Sequence, residues 1–229
     1  MKADINSFGP SFEERFRKAQ KVAIFVRGQE FQESAISDLD QLIKEIQGLK
    51  DSASNAQDED NANGFLALEL MATGLQKEIL CYVKLKNDRP AEAWNALVDA
   101  ESSIRDAIRA HRLVKDASGW LDRIEGLQRL LFPQQMFFSM GWRVRASVCS
   151  ICEKPYEECE HILGRPYMAK ICYQIVTDGD ILEASLVERP ADKRCRIESF
   201  SENGNKLDTF TLRDLLDLSN EATEKSDPR

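Results

Sequence analysis

Between Cys149 and His161 the chain carries three cysteines and one histidine in the order C-x2-C-x6-C-x-H. Thiolates and imidazoles are the ligands that divalent zinc prefers, and a Cys-x-x-Cys turn can aim two sulfurs at one ion. Cys159 and His161 then approach from the far side of a short loop. Cys149, Cys152, Cys159 and His161 thus complete a tetrahedron of three sulfurs and one nitrogen, which leaves no position open for water or substrate. The chemistry expected is structural Zn2+ binding, with no catalytic residue assigned. A disulfide among these cysteines and a set of free buried thiols are the competing readings. The opening MKADINSFGP has no apolar core of the kind a secretory signal needs, so a cytoplasmic, reducing setting is expected. Clustering of the four residues argues against independently buried thiols. Cys172 and Cys195 fall on predicted strands and read as reduced core thiols, with a supplementary ligand role open to either.

Composition narrows the function classes. The 229 residues are 42% hydrophobic and 31% charged, ordinary for a globular chain. No apolar run is long enough to cross a membrane, and a run such as Val22 to Val26 has the length of a core segment. A net charge of -8 repels nucleic acid at long range. The cysteine-rich region is not basic either, with nine Lys/Arg against ten Asp/Glu over 136–200.

The elements that must position the cluster divide at Pro133. Before it, apolar residues recur every three or four positions, which predicts an antiparallel helical bundle over 1–135. Residues 1–10 read as a flexible start, and Ser11 with Glu14 as a capping box opening the first helix, with Phe12, Phe16, Ala19 and Val22 on its apolar side. Gly28 interrupts it, and Ile36, Leu39, Leu42, Ile43, Ile46 and Leu49 form the next stripe. Ser52 to Asn63 has no apolar period and reads as an exposed, mobile loop. A helix over 64–86 follows, then a stop and restart at Asn87-Asp88-Arg89-Pro90, a helix to about Lys115, and a shorter one from Trp120 to Leu131. His111 falls on an apolar stripe and reads as a packed or flanking histidine.

After Pro133 the period drops to two. Trp142, Val144, Ala146 and Val148 predict a strand with one buried face that leads into Cys149. Lys170 to Val176 and Ile181 to Glu188 read as a hairpin about Asp178-Gly179, ended by Pro190, and Cys195 to Phe200 as a further strand before a turn at Asn203-Gly204. The fold class expected is therefore α+β: the bundle, then a small zinc-stapled antiparallel β-sheet domain of about four strands over 136–218. That domain closes with a C-terminal helix from Thr211, with a disordered tail at 219–229. A sheet this small buries little core, which is the physical case for a metal staple.

One stretch, Leu182-Glu-Ala-Ser-Leu-Val-Glu-Arg-Pro-Ala191, resembles a strand and turn of the capsid-maturation (prohead) proteases of tailed phages. The resemblance implies a related strand topology and a bacterial or phage source. In that family a serine and an upstream histidine carry hydrolysis. Ser185 is the position this points to, but His161, the nearest upstream histidine, belongs to the metal set and is not free to act as a base. No phosphate loop or dinucleotide fingerprint occurs, so an enzyme is not favoured. The function expected is a non-catalytic adaptor or regulatory subunit that joins protein partners in a larger complex. The alternative is a nucleic-acid-binding zinc protein reading phosphate through Arg143, Arg145, Arg165, Lys193, Arg194 and Arg196.

Overall fold

The computed structural model describes residues 4–23 and 27–215. Five α-helices come first: α1 Ile5–Gln20, α2 Gln29–Asn55, α3 Glu59–Lys86, α4 Pro90–Ala110 and α5 Ser118–Leu131, with a 3-10 segment over Arg112–Ala117. The strands are β1 Phe137–Cys149, β2 Pro166–Tyr167, β3 Lys170–Ile171, β4 Gln174–Val187, β5 Ser199–Glu202 and β6 Asn205–Asp208. They form three two-stranded antiparallel ladders, β1–β4, β2–β3 and β5–β6. The chain is α+β, a helical region followed by small antiparallel sheets.

The described residues fall into two compact units. The first comprises the described residues up to 126 with 143–180, the second 127–142 with 181–215. The chain therefore leaves the first unit, enters it again with the cysteine-rich segment, and leaves it a second time. This division interleaves segments that a single boundary near residue 135 would keep apart.

In the first unit α3 packs against both α2 and α4. Ala62 through Leu68 are all buried, as are Ala72, Leu75, Ile79 and Val83, so α3 is covered around most of its circumference. Helices that lack a polar face are central ones. Gly74 permits the close approach of α4, since a Cβ there would lie 2.8 Å from Ile104 Cγ1. Phe12, Phe16 and Ala19 of α1 are buried as their spacing predicted.

Two expectations in this half are corrected. The first helix begins at Ile5, not Ser11: Asp4 is the N-cap, accepting from the Asn6 amide at 3.0 Å, and Pro10 is carried inside the helix. Ile5 is tied to α3 because its amide donates to Asn61 Oδ1 (2.8 Å). The loop expected over 52–63 shrinks to 56–58. Gln57 turns the chain with φ 56, and Asp58 caps α3 by accepting from the Asn61 amide at 3.3 Å. Polar residues there are the caps and outer faces of two helix ends, a role that an apolar-period reading mistakes for a loop. The restart at Pro90 holds, with Asp88 at φ 56 and Pro90 in the first turn of α4. His111 closes α4 as expected of a flanking residue: its Nδ1 accepts from the Leu113 amide, which leaves Nε2 to donate to Asp60, 3.3 Å away.

Three strand expectations also change. β4 runs unbroken through Asp178-Gly179, so there is no hairpin at that position. Pairing with β1 keeps the dipeptide in extended backbone, and Arg145 on β1 bonds both Asp178 (2.6 and 2.7 Å) and Asp180. No four-stranded sheet forms among the described residues, and β1 buries no complete face: Trp142 and Val144 are both nearly half exposed. Cys195 is exposed on a bend outside the strands rather than in a core, whereas Cys172 is fully buried. The turn at Asn203-Gly204 is present, with φ 51 and 88, joining β5 to β6. In the second unit Phe132 and Phe210 meet at 5.2 Å, and the Arg196 guanidinium lies 4.0 Å over the Phe210 ring. The helix expected from Thr211 does not start there: Thr211 to Asp214 are not helical, with Leu212 at φ 58 and Asp214 bridged to Leu207. The remainder of that helix beyond Leu215, and the tail at 219–229, lie outside the described residues. Among the described residues no helix is long and apolar enough to cross a membrane.

Candidate metal centre

The site begins where β1 ends. Cys149 is its last residue, and the chain reverses at once: the Cys149 amide donates to the Lys154 carbonyl (3.0 Å) and the Glu153 amide to the Cys149 carbonyl (2.9 Å). Glu153 takes φ 60 to close this turn. The Ile151 amide points at Cys149 Sγ, 3.4 Å away. A knuckle of this kind presents a thiolate to backbone N–H groups and orients Cys152 beside it. A bridge between Val148 and Pro155 clamps its base.

The second half of the loop supplies the other two ligands. A single 3-10 turn over Tyr156–Glu158 leads to Cys159, whose amide donates to the Tyr156 carbonyl. The His161 amide approaches Cys159 Sγ at 3.2 Å, repeating the first knuckle in shorter form. The His161 ring stands edge-on to Tyr167, centroids 4.6 Å apart, and the Tyr167 hydroxyl accepts from the Ile162 amide (2.9 Å).

These turns bring the four residues together as expected. The ligand atoms of Cys149, Cys152, Cys159 and His161 all lie within 4.8 Å of one another. Cys152 Sγ and Cys159 Sγ are 3.5 Å apart, and Cys159 Sγ is 3.2 Å from His161 Nδ1. With metal–sulfur bonds of about 2.3 Å, a tetrahedron has sulfur–sulfur edges of about 3.8 Å. The set can therefore close on one metal ion with small movements. All six cysteines are free thiols, and the disulfide alternative is not realised. Burial opposes ionisation of Cys149, but the Cys152 and Ile151 amides and the neighbouring thiols outweigh it and bring the thiol down to about 6. Burial and the adjacent thiols push Cys159 up to about 11. That divergence is the behaviour of thiols crowded so closely that they cannot all ionise without a cation among them.

Residues that spacing could not reveal hold the loop on the helices. The Ala169 amide donates to Asn63 Oδ1 on α3 (2.8 Å), and the Tyr173 hydroxyl donates to Asp106 on α4 (2.6 Å). Burial and the Asp106 carboxylate push that phenol up to about 12. Ile171 and Ala169 pack against Leu66, Ala67 and Ala110. Ser150 binds both sides of Tyr173, through its own amide to the carbonyl and through its hydroxyl from the amide. Met168 and Ala169, with φ 43 and 62, make the two-residue turn between β2 and β3, and no Asn-Gly or Asp-Gly signal announces it.

Four of the six basic residues considered for nucleic acid are engaged with neighbouring side chains. Arg145 is clamped by Asp178 and Asp180, Arg194 pairs with Asp192 (3.2 Å), and Lys193 donates to Gln128 (2.8 Å). Arg196 is buried over Phe210 and bonds Thr209 (3.0 Å). Arg143 and Arg165 are exposed. Ser185 is exposed on β4. Comparisons with protein-family models, with curated proteins and with solved structures return no match to this chain.

Proposed function

We propose that the chain is a non-catalytic adaptor or regulatory subunit, with structural Zn2+ held by Cys149, Cys152, Cys159 and His161 and with protein partners as its ligands. The observation that carries the reading is the apolar surface of the β1–β4 ribbon. Phe138, Met140 and Trp142 alternate along β1 and are each about half exposed, and Leu182 and Leu186 on β4 are exposed at 57% and 56%. Single exposed apolar side chains are unremarkable, but a contiguous run of aromatic and long aliphatic ones on a strand marks a surface that another protein covers. A groove between α1 and α2, lined by Phe31, Ala35 and Leu39 with Arg15, Lys18 and Asp38 at its rim, offers a second contact site of about 350 Å3. Zinc suits the donor set because three thiolates and an imidazole are a closed structural sphere. In this reading the ion's role is to fix the cysteine loop.

The experiment is co-purification from the native host, comparing the wild-type chain with the Phe138→Asp/Trp142→Asp variant. A stoichiometric protein partner held by the first and lost by the second supports the adaptor. A nucleic acid bound with a steep salt dependence, and weakened by removing Arg143 and Arg165, overturns it.

A further inference from the structure

A fifth candidate ligand, and fourth sulfur, adjoins the centre. Cys172 Sγ lies 3.7 Å from Cys149 Sγ, the edge length of a tetrahedral thiolate site. Cys172 is fully buried, and its place is set by two backbone bonds: its amide donates to the Arg165 carbonyl (2.9 Å) and its carbonyl accepts from the Gly164 amide (2.8 Å). Gly164 sits at φ +78, a conformation that glycine adopts without strain. The adjoining Tyr173 is tied to Ser150 inside the first knuckle, so Cys172 is held beside Cys149 from both directions.

His161 is held less firmly. Its Nδ1 faces Cys159, and its ring rests on Tyr167. Ligating histidines generally donate their second nitrogen to a carboxylate or carbonyl, which orients the ring and raises its basicity. Among the described residues the hydrogen bonds of this imidazole involve Nδ1, with none at Nε2. The centre thus has three thiolates, one imidazole without an outer partner, and one buried thiol already beside a ligand.

We propose that Cys172 is a reserve ligand of the metal centre: the loop can close through three thiolates and His161, or through four thiolates when Cys172 takes the place of the imidazole. The inference rests on the metal-binding reading above. Exchange breaks one metal–nitrogen bond, forms one metal–sulfur bond and releases the Cys172 proton to solvent, with no change of oxidation state. The ions suited to the second mode are thiophilic divalent ones, Zn2+ and Cd2+, with Co2+ as the spectroscopic substitute.

Titrating the metal-free full-length chain with Co2+ tests this directly. Wild-type protein should bind one ion, with the visible bands of a tetrahedral site and a near-ultraviolet sulfur-to-metal band set by three thiolates. His161→Ala should still bind one ion tetrahedrally, and that band should rise to about four-thirds of the wild-type intensity, the ratio of four thiolates to three. The added Cys172→Ser change should remove the gain and weaken binding by more than about 100-fold, with helical ellipticity confirming the fold. An unchanged or smaller sulfur band in His161→Ala, or loss of its metal, overturns the reserve ligand. Absence of Co2+ and Zn2+ binding by the wild-type chain instead overturns the metal reading on which it rests.

Discussion

Cys152 lies within the first knuckle, in the turn that Cys149 and Glu153 close, and is only partly buried. Cys152→Ser should therefore lower metal affinity by more than about 100-fold while the helices stay folded, and metal content per chain by elemental analysis should fall from one towards zero. Glu78 is the second residue whose chemistry is testable. Its side chain is fully buried on α3, where Oε2 accepts from Trp120 Nε1 and from Arg123, both at 2.7 Å, with the Tyr82 hydroxyl beside the carboxylate. Burial is the largest influence and raises its pKa above the ordinary 4.5, against the pull of Arg123 and Trp120. Between 4.5 and the raised folded value, the folded state holds a proton that the unfolded state has released. Stability contributed by this group is therefore present below 4.5 and lost as pH rises through the folded value. Melting temperatures of wild type and Glu78→Gln across mildly acidic to neutral pH should differ by that slope, which the variant lacks.

At the level of elements, α3 is the one that the rest of the first unit needs. It meets α2 and α4 along its length, and its N-terminal turns carry Asn61 and Asn63, which tie down the start of α1 and the metal loop. Gly74→Ala tests how tightly α3 and α4 approach. The new methyl would meet Ile104 Cγ1 at 2.8 Å, which only a shift of that core side chain can relieve. A destabilisation of about 1–3 kcal/mol is expected, read as a lower denaturant midpoint with unchanged m-value. An unchanged midpoint would show that the helices separate readily there. The ribbon of β1 and β4 behaves differently, because it is held by its backbone ladder, with exposed charge pairs such as Arg145 with Asp178 across it, and not by a core. Such pairs contribute little each.

For the molecule as a whole, the cysteine loop belongs to the helical unit, seated on Leu66, Ala67 and Ala110. Chelation should accordingly release 143–180 without melting the helices, because α2, α3 and α4 bury most of their apolar faces against one another. Hydrogen exchange of the full chain with and without chelator should show lost protection confined to 143–180, with α2, α3 and α4 still protected. Collapse of helical ellipticity on chelation would mean that the metal supports the bundle itself.

Much of this was legible in the residues alone, and the reasons are local. The four ligands lie within one short loop, so their meeting needs only turns that their own neighbours form. Helical stripes such as Leu39, Leu42 and Ile46 become the buried face because a period near 3.6 has one apolar side, and Asn203-Gly204 turns because both residues tolerate positive φ. What tertiary structure alone decided depends on partners distant in sequence. Asp178-Gly179 could turn or extend, and pairing with β1, where Arg145 lies 33 residues away in sequence, keeps it in strand. Ser52 to Asn63 looks like a loop until Ile5 and Ala169 supply bonds for Asn61 and Asn63. Cys172 and Cys195 are alike as sequence, yet one is packed against Cys149, held by Arg165 and Gly164, and the other lies exposed in a bend where its amide bonds the Asp192 carbonyl.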